Sequence, residues 1–174
     1  MEKVASLIEE LISVLSEENK EYSDLVILSH EKTKVIVNND IDYLSKITEA
    51  EQSFIGRLNK LEKKRTEVVK DIATVLCKDP DKLTVRNVID LLKGQPTEQQ
   101  KLSQVYDNIK TTINNMVTVN ELNKNLIKES LELIEFDLNL MQNAYQEPET
   151  ANYSKNAYSS TATGKGTGVF DAKQ

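Results

Sequence analysis

Tryptophan is absent from the 174 residues, and Phe and Tyr together supply only 5% of them. With 39% apolar content, so few aromatics argue against a thick globular core and favour an elongated bundle. Cysteine and histidine occur once each, as Cys77 and His30. No intrachain disulfide is then possible, and nothing places His30 beside Cys77 to activate it, so Cys77 reads as a reduced, inert thiol near a helix end. A di-iron bundle needs Glu-x-x-His pairs on two helices, and Ile27 stands three residues before His30, which excludes that class. Zinc has too few Cys and His ligands. Gly164, Gly166 and Gly168 neither follow a predicted strand nor precede a helix, so they make no phosphate loop. No catalytic constellation and no cofactor are expected, and the chain is not an enzyme on this reading.

Basic charge is also short. The net charge of −6 disfavours binding to nucleic-acid phosphates and offers nothing to an anionic lipid surface, leaving proteins as the expected partners. Arg57, Lys60, Lys63, Lys64 and Arg65 form the one basic cluster, interrupted by Glu62 and spread around more than one helix side, as a solvated face would be. The opening Met1-Glu2-Lys3, followed by Glu9, Glu10, Glu17 and Glu18, has neither a basic start nor a long apolar segment. Neither a signal peptide nor a membrane span is expected, and the predicted location is the cytoplasm.

Glycine and proline number five and three, and apart from Gly56 they fall at Pro80, Gly94, Pro96, Pro148 and the tail glycines. What remains between them is helix. From Glu2 to Val37 the residues Val4, Ile8, Leu11, Leu15, Tyr22, Leu25 and Ile36 recur at spacings of three and four, with Glu18, Ser29 and Lys32 in the intervening seam. Asn38 and Asn39 suit a left-handed helix end, Asp40 suits the next N-cap, and the tight turn predicts an antiparallel return. The second helix presents Leu44, Ile47, Phe54, Leu58, Leu61, Val68, Ile72 and Val75, broken by Glu51 and Arg65. Lys78-Asp79-Pro80-Asp81 should end it. A short helix follows, with Thr84 as cap, Leu83 stapling onto Val88, and Gly94 as its stop.

The longest uninterrupted stretch runs from Thr97 to Tyr145, with Thr97 and Gln100 spaced as a capping box. Its stripe passes Leu102, Val105, Tyr106, Ile109, Ile113, Met116 and Val119, then Leu126, Ile127, Leu131, Ile134, Leu138 and Met141. Polar residues near Asn123, Ser130 and Asp137 leave the seam wide and imperfect, open to a partner. Asn120 and Asn123 admit two readings: hydrogen bonds inside the bundle that fix helix register, or bonds to a bound segment over an apolar floor of Leu126, Ile127, Ile134 and Met141. Those four admit plain core as well. Gln146 to Gln174 contains no Leu, Ile or Met, so it is expected to be a disordered tail in which Tyr153, Tyr158, Val169 and Phe170 could dock on something. The expected fold is all-α: an elongated antiparallel helical bundle of three long helices and one short helix over residues 1–145, followed by a flexible C-terminal tail over 146–174.

Two paired helices, a corner helix, a long helix carrying Asn120-x-x-Asn123-x-x-Leu126-Ile127, and a tail with Tyr153 together resemble the FlgN family of flagellar export chaperones. Ala157 stands where many relatives carry Gly after the tail Tyr. The resemblance implies a cytosolic, non-catalytic chaperone that binds C-terminal helical segments of the hook-filament junction proteins FlgK and FlgL and delivers them to the flagellar type III export apparatus. Client binding would then fall to Asn120, Asn123, Leu126, Ile127, Ile134, Met141 and Tyr153. The alternatives are a coiled-coil scaffold or tether without a client, which sustained heptads would mark, and a regulator acting through its tail.

Overall fold

The computed structural model describes residues 2–145. The chain divides into two compact units, Met1–Glu135 and Phe136–Gln174. Helix α1 spans Glu2–Val37, α2 Ile41–Val75, α3 Val85–Leu91 with a single 3-10 turn Leu92–Gly94 after it, and α4 Pro96–Tyr145. There is no strand among the described residues. The expected tail, Gln146 to Gln174, lies outside them.

The turn between α1 and α2 forms for the reason its residues suggest. Asn39 adopts φ 54°, its N–H donates to the Ile36 carbonyl (3.1 Å), and the Asp40 N–H reaches back to Val35 (3.2 Å). This left-handed closure satisfies carbonyls that the helix end would otherwise leave bare. Asp40 then caps α2, its carboxylate accepting the Tyr43 N–H at 2.9 Å. With 36 and 35 residues, the two helices each run about 53 Å. They lie antiparallel, as the cross-links Lys32–Glu51, Glu21–Arg57, Glu18–Arg65 and Glu10–Lys64 require.

Helix α2 stops at Val75, ahead of the expected Lys78–Asp81 breaker. Cys77 takes φ 53° while the Lys78 N–H donates to Ala73 (2.8 Å) and the Cys77 N–H to Thr74 (3.2 Å). The same left-handed motif thus recurs with a cysteine in the position where glycine is usual. Thr84 caps α3 with a reciprocal box to Asn87, and Leu83 packs against the core that contains Val88. At α4 the expectation needs correction: Pro96 takes the first helical position, where its missing N–H costs nothing. The cap position therefore belongs to Gln95, whose carbonyl accepts the Gln99 N–H at 3.0 Å, and Thr97 lies inside the helix.

Two contacts orient α4. The Thr112 hydroxyl donates to Asn19 Oδ1 (2.8 Å) and the Thr33 hydroxyl to Asn123 Oδ1 (2.6 Å), so α4 runs parallel to α1 and antiparallel to α2. The main core gathers at the α3 end of this up-down-up unit: Ile8, Leu11 and Leu15 of α1, Val68, Val69 and Ile72 of α2, Val88 and Leu92, and Leu102 and Ile109 of α4. Leu11, Ile72 and Leu102 are wholly buried, each contributing on the order of 1.5–3 kcal/mol. The opposite end, near the α1–α2 turn, is built differently, and the candidate site lies there.

Candidate helix-binding groove

Six polar residues that interrupt the apolar seams of the first unit are paired by the fold. Lys32 of α1 meets Glu51 of α2 at 2.7 Å, with both side chains four-fifths or more buried. Glu18 of α1 faces Arg65 of α2 at 3.3 Å. Ser29, fully buried, faces α4: its carbonyl accepts Asn123 Nδ2 at 2.9 Å and its hydroxyl points at Met116 Sδ, 3.6 Å away. Lys32–Glu51 and Glu18–Arg65 share one hairpin register, centred at Ile41 and Asp42, just past the Asn-Asn-Asp turn.

Glu18 is the strained member. Only 2% of it is exposed, and neither carboxylate oxygen has a hydrogen-bond donor. Burial pushes its pKa above the ordinary carboxylate value, opposed by the Arg65 guanidinium and reinforced by Glu62. Tyr22 is raised too, first by burial and then by the negative charge of Glu18.

Between the Lys32–Glu51 pair and α4 lies an open groove of about 380 Å³, lined by Leu25, Lys32, Glu51, Ile55, Met116, Asn120, Asn123, Lys124 and Ile127. Three of the residues singled out by sequence are therefore brought together here: Asn120, Asn123 and Ile127. Their circumstances differ. Asn123 is buried, its amide nitrogen bonded to Ser29 and its oxygen to Thr33. Asn120 is exposed on the groove wall, and Leu126 and Ile127 are half-buried. Leu25, Ile55, Met116 and the Lys32–Glu51 wall were not singled out, because a residue's place on a seam does not reveal where two seams part.

The apolar lining continues past the groove. Ile127, Leu131 and Ile134 stand four and three residues apart, so they share one helix face, and the last two are 57% and 50% exposed. Thr33 lies beside Asn123 in a parallel pair, which puts Val37, the end of α1, beside about residue 127 and leaves Leu131 to Glu135 beyond it. In the second unit Met141 is also exposed, with Phe136, Leu138 and Leu140. Tyr153 lies outside the described residues.

The site has an apolar floor, a free amide and charged rims, which is equipment for holding a peptide segment. Among the described residues no cluster of His, Cys, Asp or Glu could hold a metal ion, and no helix is long and apolar enough to cross a membrane. The chain is 25% identical over 154 residues to the uncharacterized protein YvyG of Bacillus subtilis (strain 168), covering 87% of this chain and 89% of that one. No solved structure matches it. The family model described as FlgN protein matches residues 1–161; with that match spanning nearly the whole chain over an all-helical bundle with an unfilled apolar groove, the protein belongs to the FlgN family and has the role of a flagellar export chaperone.

Proposed function

We propose that this chaperone works in the cytoplasm, binding C-terminal helical segments of the junction proteins FlgK and FlgL, blocking their early assembly, and passing them to the export apparatus without covalent chemistry. The observation that carries the reading is the groove at Asn120 and Ile127 running on into the exposed Leu131 and Ile134. An amphipathic helix laid along that line would cover side chains that water now wets, the helix-in-groove mode of peptide recognition. Asn120 offers its amide to the client, Leu126, Ile127 and Ile134 supply apolar contact, and Asn123 acts by holding α4 in place. Met141 and Tyr153 are proposed as further client contacts.

Calorimetry of the full chain with C-terminal FlgK and FlgL peptides tests this. Dissociation constants between micromolar and nanomolar are expected, about 8 to 12 kcal/mol. Ile134→Asp should weaken binding at least tenfold while leaving the circular dichroism spectrum and melting temperature unchanged, because Ile134 is half exposed. Peptides that show no heat at tens of micromolar would end the proposal.

A further inference from the structure

We propose that the exposed stretch of α4 in the first unit selects segments whose apolar face is flanked by Lys or Arg; this rests on the client-binding reading above and adds a charge rule to it. At about 100° per residue, Leu122, Leu126 and Leu133 lie along one side of an apolar arc, and Ile127, Leu131 and Ile134 along the other. Leu122, Leu131, Leu133 and Ile134 are 48–61% exposed. Each edge of the arc ends in a carboxylate: Glu129 follows the Leu122 and Leu133 side, and Glu135 follows Leu131. Both are exposed.

Among the described residues these two carboxylates enter no ion pair. Glu121 pairs with Lys124 at 3.8 Å and Glu132 with Lys128 at 3.6 Å, leaving Glu129 and Glu135 outside the ion pairs of the stretch. Lys124 shares the Glu135 edge nearer the groove, where Glu121 already offsets it. A helix seated on the arc sets its own flanking residues against Glu129 and Glu135, so cations there are attracted and anions repelled. The chain's net charge of −6 steers basic segments inward at longer range. A second copy of this chain is a poor occupant by the same reasoning, since it would bring another Glu129 and Glu135 to rims that already carry these carboxylates.

The test uses the full chain and two synthetic amphipathic helical peptides with identical apolar faces, one flanked by Lys and one by Glu, titrated by fluorescence anisotropy. At about 50 mM salt the Lys-flanked peptide should bind on the order of tenfold tighter, the difference shrinking toward twofold at about 0.5 M as screening shortens the reach of the rim charges. The E129Q/E135Q variant should lose the preference while keeping its binding to the apolar face. Equal affinities for the two peptides, a preference undiminished in that variant, or failure of both peptides to bind would overturn the charge rule. So would a dimer, seen by light scattering, that excludes both peptides. FlgK and FlgL segments that bind the native and E129Q/E135Q chains alike would remove the charge rule alone, whereas segments that bind neither would remove the proposed function itself.

Discussion

Asn120 and Asn123 stand one helical turn apart in a shared motif, and burial separates their jobs. Asn123 makes two hydrogen bonds to α1 in an almost dry setting, so Asn123→Ala should cost about 1–3 kcal/mol, the range for breaking a buried hydrogen-bonded pair. Asn120→Ala removes an exposed amide and should leave the melting temperature within about 1 °C, stability changes at such surface sites being small, while lowering affinity for a client peptide. Paired melts and calorimetry separate the two. Glu18 adds a pH signature. Its raised pKa means the folded chain holds this proton at pH values where the unfolded chain has lost it, so this group favours folding most below about pH 4.5 and progressively less as pH rises through the folded value. Glu18→Gln should therefore raise stability at pH 7 by about 1 kcal/mol, the low end of the cost of a buried acceptor without a donor. That is roughly 2–4 °C in Tm for a chain of this size, and the gain should vanish near pH 4. Arg65 keeps Glu62 as a neighbour in that variant, at 3.6 Å.

At the scale of the element, glycine is missing where it would help and present where it does not. Cys77 closes α2 with φ 53°, a conformation that costs an L-residue roughly 1 kcal/mol. Gly56 sits inside α2 with open space where a methyl group would go. Cys77→Gly and Gly56→Ala should each raise stability by about 0.5–1 kcal/mol, checked by urea denaturation with the m-value unchanged. The Asn39 closure was legible because asparagine tolerates the left-handed region, whereas the Cys77 closure was not, since nothing in a cysteine announces it. The start of α4 was misplaced for a related reason. Thr97 and Gln100 have capping-box spacing, but Pro96 is itself suited to the first helical turn and takes it, moving the cap to Gln95.

Across the whole molecule, a client that binds only the folded chain must stabilise it by mass action. At a free peptide concentration of one hundred times Kd the gain is about 2.7 kcal/mol, so Tm should rise by about 5–10 °C and follow peptide concentration logarithmically. Differential scanning fluorimetry with FlgK and FlgL peptides reads this, and an unmoved Tm at saturating peptide would contradict groove binding. The helices, their order and the antiparallel hairpin were all readable from residue spacing, because an amphipathic period and a few turn residues act over short stretches of chain. Family membership was readable from the helix order and the tail taken together with the Asn120-x-x-Asn123-x-x-Leu126-Ile127 motif. The depth of each polar residue was not. Glu18, Ser29, Lys32, Glu51, Arg65 and Asn123 all look like defects in a seam, and only the lateral packing of three helices turned them into mutual partners. Where α1 ends and α4 continues, that packing stops, and the same apolar spacing that builds a core between Leu102 and Val119 leaves Leu131 and Ile134 open to a guest.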